Sequence, residues 1–232
     1  MSSFGASCIM GTAMTIADFD ALHVPNNGCS ITNGTNTWSL STFTINASPL
    51  NAAGYTAAPT TADVQIEFTL FNNGFQVTYT PLGQFAQAVN NGVTGQSLQF
   101  DTGFWISVPS GNTGFDKVGT HLLNPVLNIP ASPGGIPSIG LTEYVHSSNY
   151  PYPIYSSYGI DNSYPSMESA FFNPNSTIAI TNTLQMRSGG RAGASATIAG
   201  YSNTFDTPEP LSFAMMGAGL VGLAFLRRRK SK

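Results

Sequence analysis

Alternation with a period of two constrains this chain most. Val64, Ile66, Phe68 and Leu70 alternate with Gln65, Glu67 and Thr69, Asn72-Asn73-Gly74 breaks the run, and Phe75, Val77 and Tyr79 resume it. Side chains on a strand point to opposite faces in turn, so this pattern specifies a half-buried hairpin around a turn. Between 98 and 108 the even positions Leu98, Phe100, Phe104, Ile106 and Val108 share one face, interrupted only by Thr102. That is a long central strand, with Gly103 on the other face marking a bend or bulge. Thr177 to Met186 places Ile178, Ile180, Leu184 and Met186 together, and Ser195 to Tyr201 reads as a shorter last strand. Only Asp18 to Leu22 and Phe85 to Asn90 read as helical, each for a turn or two. Short strands separated by Asn-, Gly- and Pro-rich turns make a mainly β fold, an antiparallel β-sandwich of jelly-roll-like type.

The stretch 109–174 breaks this rhythm. Pro and Gly recur too often there for a continuous ladder, and six of the nine tyrosines crowd into it, as Tyr144, Tyr150, Tyr152, Tyr155, Tyr158 and Tyr164. The expectation is a long loop or insertion on one end of the sandwich. Tyr and Trp offer flat apolar faces with polar tips, on which sugar rings stack. Trp105, Tyr150, Tyr152, Tyr155 and Tyr158 are therefore the candidates for glycan contact. The competing reading has these rings folded back over the sheet and buried. Trp105, opposite the Phe100/Phe104 stripe, is either exposed or packed against a second layer, and Trp38 carries the same ambiguity.

Charge narrows the function classes. Only 8% of residues are charged, against about 25% in an ordinary soluble domain. Residues 1–206 hold three basic against ten acidic groups, a formal charge of −7. A nucleic-acid partner is excluded on this ground, because phosphate neutralisation needs clustered Lys and Arg. A nucleotide is excluded too. Gly217-Ala218-Gly219-Leu220-Val221-Gly222 fits G-x-G-x-x-G, but that fingerprint needs a preceding strand and an acidic residue about twenty positions later.

Cys8 and Cys29 are the only cysteines. In an oxidising compartment an even pair at this separation reads as a disulfide, worth about 3 kcal/mol through loop closure; a free thiol or a metal ligand is the alternative. His23 is near, yet no second pair completes a metal shell, and no nucleophile signature surrounds either cysteine. Asp101, Asp116, Glu143 and Glu168 stand in no context that brings two carboxyls together as a glycosidase requires. Surface solvation accounts for them, and no catalytic residue is assigned. Asp18-Phe19-Asp20 and Asp161-Asn162-Ser163 could lend oxygens to a structural Ca²⁺, but neither reaches the ligand density of a caging loop. The expectation is no cofactor and no metal site.

The C-terminus carries an address. Pro208-Glu209-Pro210 precedes an uncharged run from Leu211 to Leu226, followed by Arg227-Arg228-Arg229-Lys230. Sixteen helical residues span roughly 24 Å, short of the roughly 30 Å hydrocarbon core unless the basic side chains snorkel. The Lys/Arg cluster stays cytoplasmic, so the bulk of the chain lies outside. Pro208 and Pro210 fit only before or at the first helical turn, where Glu209 meets the positive end of the dipole. Ala214, Ala218 and Gly222 put small side chains on one helical face, as close helix packing requires.

Residues 208–230 resemble the PEP-CTERM sorting signal of bacterial envelope proteins, also labelled the ice-binding protein C-terminal domain. The resemblance implies an exosortase partner, a membrane-embedded cysteine transpeptidase that cleaves near Pro-Glu-Pro, and a bacterium producing exopolysaccharide or biofilm matrix. The regular Thr arrays of an ice-binding surface are missing. The start through Gly28-Cys29, followed by Trp38 to Asn46, further resembles a loose group of PEP-CTERM ectodomains. The Gly-Asp common after that cysteine is replaced here by Ser30-Ile31-Thr32-Asn33.

The expected organisation is an exported ectodomain at 1–206 and a sorting signal at 207–232. Its precursor would be anchored in the bacterial inner membrane with the ectodomain in the periplasm, and the product would reach the cell surface or medium. Met1 to Val24 lacks Lys, Arg and the apolar stretch of a signal peptide. A gene start called too late is the expectation, with an unusual export route as the alternative. The function expected is a non-enzymatic surface or matrix component; the alternative is a polysaccharide-active hydrolase or carbohydrate-binding module.

Overall fold

The structure, a computed structural model, describes residues 6–23, 28–34, 36–71, 74–92, 95–107, 115, 117–131, 134–146, 151–158, 168–171 and 177–207, the side chains of 47–53, 151–158 and 168–171 excepted. In chain order the elements are β1 (Met14–Thr15), α1 (Ile16–His23), β2 (Cys29–Asn33), β3 (Asn36–Leu40), β4 (Thr44–Ala53), β5 (Val64–Phe71) and β6 (Gly74–Pro81). They continue with β7 (Gln87–Val89), β8 (Ser97–Ser107), β9 (Lys117–Leu123), β10 (Val126–Asn128), β11 (Ser138–His146) and β12 (Pro151–Tyr158). The last are β13 (Glu168–Phe171), β14 (Thr177–Arg187), β15 (Ser195–Thr197) and β16 (Gly200–Asp206).

Two antiparallel sheets carry the fold. One has the order β1-β5-β6-β16-β9-β13, the other β12-β11-β14-β8-β3-β2 with β4 also on β8, and β10-β15-β7 form a small third sheet. The inward rows of the two large sheets interlock as a sandwich. Trp38 lies 5.3 Å from Phe75 and stacks on Phe115 at 5.7 Å. Phe104 of one sheet meets Phe205 of the other edge-on at 6.0 Å, and Phe43 stacks on Phe104 at 4.7 Å. All of these rings are buried. Each contributes a large apolar area to a core that the alternating pattern had already sorted to one face.

The hairpin expected at 64–79 is β5 and β6, paired from Val64↔Pro81 to Phe71↔Gly74. Helix α1 starts where Thr15 accepts a hydrogen bond from the Asp18 amide at 3.0 Å and donates to the Asp18 carboxylate at 2.7 Å, a reciprocal cap. Its Phe19 seats against Phe43 and Phe68.

Several expectations are corrected. The stretch 109–174, read as a loop or insertion, supplies β9 to β13, which pair into all three sheets. Gly119 lies within β9, Gly140 within β11 and both Pro151 and Pro153 within β12, an edge strand, where a missing amide donor costs no ladder hydrogen bond. Phe85 to Asn90 is one 3₁₀ turn, Gly83–Ala86, running straight into β7. Ser195 to Tyr201 is the junction of two strands, β15 in the small sheet and β16 at the centre of a large one. No bulge occurs at Gly103, which pairs in register with Thr181; the register shift lies on β4 between Ala47 and Ala52. Glycine suits position 103 because a Cβ would sit 3.1 Å from Thr44 Oγ1 and 3.3 Å from the Ile180 carbonyl oxygen. The helix expected at 211–226 lies outside the described residues. Among those described, no helix is long and apolar enough to cross a membrane.

Candidate functional site

The outward face of the larger sheet gathers aromatic and hydrogen-bonding groups. Register sets Trp105 beside Ala179 and Ala179 beside His146, while the next row runs Gly103, Thr181, Tyr144. Trp105 is 58% exposed and Tyr144 36%. They stand on β8 and β11 with β14 between and one row apart, so two strand spacings and a two-residue step, about 12 Å in all, separate them. Ser41, in the connection from β3 to β4, binds both the amide and the carbonyl of Trp105. Its Oγ accepts from the Trp105 amide at 2.8 Å and its amide donates to the Trp105 carbonyl at 2.9 Å. Tyr144 stacks on His146 at 6.2 Å.

Polar pairs complete the face. Thr183 Oγ1 donates to Asp101 Oδ1 at 2.7 Å, and Gln185 Nε2 donates to Gln99 Oε1 at 3.0 Å. Exposed rings flanked by amides and one carboxylate suit a ligand with apolar C–H faces and many hydroxyls. Of the tyrosines named from sequence, Tyr155 falls in register with Thr142 of this outward row. Tyr152 and Tyr158 fall in register with Val145 and Ile139, which are buried. Tyr150 lies outside the described residues. Tyr144, Asp101, Gln99, Gln185 and Thr183 were not assigned to a site; strand register, which sequence does not supply, is what unites them.

Beneath this face runs a buried polar row. Thr102, Asn182 and Glu143 are in register across β8, β14 and β11, each fully buried. Asn182 and Asn203 of β16 exchange two carboxamide hydrogen bonds at 2.8 Å, joining the sheets. Thr102 Oγ1 lies 2.9 Å from Tyr201 Oη, and Tyr201 stacks on Tyr79 at 4.7 Å. Among the described residues the Glu143 carboxyl has no hydrogen-bond partner, nor has Tyr79 Oη. Glu143, expected to be solvated, is thus corrected to the core. Burial drives its pKa well above the ordinary carboxylate value; the Asn203 carboxamide, near but not hydrogen-bonded to it, offsets only part. Glu143 is therefore a neutral acid over a widened pH range. Burial likewise raises Tyr79, with Tyr201 and Glu143 adding to it and Asn182 opposing. Two signals could have found this row. Thr102 interrupts an apolar stripe, and Asn182 sits between Ile180 and Leu184 in another.

The remaining sequence candidates separate cleanly. Cys8 and Cys29 form a disulfide with Cα atoms 5.1 Å apart. It ties the segment before α1 to β2. Asp18 caps α1, and Asp20 Oδ1 accepts from the Phe43 amide at 3.2 Å; both are occupied within the fold. Asp116 and Asp161-Asn162-Ser163 lie outside the described residues. Among those described, no group of three or more His, Cys, Asp or Glu could hold a metal ion. His23 is buried against Phe19, its ring nitrogens without a hydrogen-bond partner among the described residues, and burial lowers its pKa against the opposing pull of Asp20. Pro208, Glu209, Pro210, Arg227, Arg228, Arg229 and Lys230 lie beyond the described residues, which end at Thr207.

No curated protein matches the chain. Among solved structures, TmCBM61 in complex with beta-1,4-galactotriose is similar over 69% of this chain and 86% of its own, at 12% identity. The TM-score is 0.30, too low a superposition to say anything of this chain's fold or ligand. The family model of the PEP-CTERM protein-sorting motif matches residues 206–230. The candidate address read from the Pro-Glu-Pro, the uncharged run and the Arg cluster is thereby shown: this chain carries a PEP-CTERM protein-sorting motif at its C-terminal end.

Proposed function

We propose that this is an exported bacterial envelope protein, anchored as a precursor in the inner membrane and processed by an exosortase. Its β-sandwich then serves at the cell surface or in the extracellular matrix as a non-enzymatic component of biofilm or exopolysaccharide. The observation that carries this is the sorting motif at 206–230. The disulfide and the scarcity of charge support an oxidising, extracellular setting. The passage of the chain back and forth between the two large sheets supports the jelly-roll reading.

The chemistry of processing is an acyl transfer. The scissile peptide bond breaks, its acyl carbon passes to the enzyme's thiol, and the tail leaves with a protonated new amino terminus. Water or an amine acceptor then takes the acyl group and restores the thiol.

A second reading, a carbohydrate-binding module, is favoured by the outward face, which bears Trp105 and Tyr144 and, further along β8 and β14, Asp101, Gln99 and Gln185. The hydrolase reading has less support. Asp101 and Glu143 fall on opposite faces of their sheet, one in the outward row and one in the core.

The decisive test compares intact masses from an exosortase-bearing host and the same host lacking the enzyme. The first product should lack the residues that follow Pro-Glu-Pro, and deleting Arg227 to Lys230 should leave the chain uncleaved. Full-length chain from both hosts would refute the proposal.

A further inference from the structure

The last strand of the sandwich and the sorting motif share residues. β16 lies between β6 and β9, paired along both edges, and its final pairs join Asp206 to Gly74 and to Lys117. Phe205 is fully buried, stacked on Phe75 at 4.9 Å. Lys117 Nζ lies 4.0 Å from Asp206 Oδ2. Burial continues one residue further, since Thr207 is only 4% exposed. The motif match begins at Asp206. No spacer therefore separates a central strand from Pro208.

This end of the sandwich is also tightly closed. Asn33 Nδ2 donates to the Gly74 carbonyl at 2.9 Å, tying β2 of one sheet to β6 of the other. A Cβ at Gly74 would run into the Phe205 carbonyl, so glycine allows the two backbones their close approach.

An enzyme that cleaves a peptide takes it as extended chain with free amide and carbonyl groups, which pair with the enzyme's own backbone. The backbone of Phe205 and Asp206 is already engaged with β6 and β9. Releasing it requires peeling a central strand and drawing Phe205 out of the core. Resting on the exosortase reading, we infer that the folded sandwich sets the upstream limit of the processing site. The bond broken lies after Thr207. The enzyme engages the segment from its downstream side, and the end built from Asn33, Gly74, Lys117 and Asp206 faces the enzyme.

The test uses the full chain in an exosortase-bearing host, with a spacer of about ten Gly/Ser residues inserted between Thr207 and Pro208. The native product should retain Thr207 by intact mass. Pulse-chase should show the spacer variant maturing at least about threefold faster, because the bond to be broken then lies about ten residues further from the last strand. Asn33→Ala, which loosens the same end without lengthening the chain, should give a smaller acceleration. A mature C-terminus upstream of Thr207, or a spacer variant that matures no faster, overturns the inference while leaving exosortase processing intact. Uncleaved precursor in every variant overturns both.

Discussion

Glu143→Gln should stabilise the domain at neutral pH, and the size of the gain follows from proton linkage. Glu143 is buried with no hydrogen-bond partner among the described residues, and its pKa is raised chiefly by desolvation. The folded state therefore holds its proton above the ordinary value of 4.5, where the unfolded chain has released it. Stability is fully present below that ordinary value and falls as pH rises toward the folded value. The slope is about 1.4 kcal/mol per pH unit for one proton. The loss accumulates at that slope for as long as the folded carboxyl keeps a proton that the unfolded chain has released. Glutamine keeps the shape and carries no titrating proton, so the variant should show a nearly flat profile. It should match the native protein below about pH 4 and exceed it by a margin that widens as pH rises toward 7. Asp20, raised by burial, and His23, lowered by burial, also titrate between the states, in opposite senses. Taking the difference between native and variant protein removes both. The assay is urea unfolding followed by the emission of buried Trp38 at several pH values, with slopes compared to exclude a change in the unfolded ensemble. Equal stability of the two proteins from pH 5 to 8, or a less stable variant at pH 7, would refute the burial argument.

Two further outcomes are expected. Replacing Cys8 and Cys29 together by serine should lower unfolding free energy by about 3 kcal/mol, the loop-closure value for a bridge between residues 21 apart, read from chemical denaturation. Trp105→Ala should change stability by no more than about 0.5 kcal/mol, because the ring is mostly exposed, yet abolish retardation in affinity electrophoresis through the host's exopolysaccharide. Unchanged retardation would remove the outward face as a glycan contact.

The elements legible in the sequence were those whose apolar positions alternate without help from afar. The hairpin of β5 and β6, and most of β8 and β14, follow from period two alone, since each buries its alternate side chains against one partner layer. The strands between β8 and β14 were hidden because their partners lie on different sheets. β9 pairs with β16, which comes about eighty residues later, and β11 pairs with β14 across the Pro- and Tyr-rich segment. Local composition there misleads, because Gly119, Gly140, Pro151 and Pro153 read as breaks yet lie inside strands whose pairing partners decide the outcome. The tail shows the opposite case. Its information is local, in charge order and run length, so the address could be read without any knowledge of the fold.

The same distinction explains why the candidate face escaped notice while its core counterpart left a trace. A polar residue in an apolar stripe violates the pattern. Thr102 and Asn182 announce that something on the facing sheet must receive them, and Tyr201 and Asn203 do. Outward polar residues violate nothing, so Asp101, Gln99, Thr183 and Gln185 read as ordinary solvated positions until register aligns them with Trp105 and Tyr144. Glu143 is also of the first kind, since it breaks the pattern of β11, where Leu141 and Val145 flank it on the buried face, but no group among the described residues receives its carboxyl. A sandwich that keeps an unpaired acid in its interior sacrifices stability at neutral pH. Its remaining stability then depends more heavily on the disulfide and on the close-packed aromatic core.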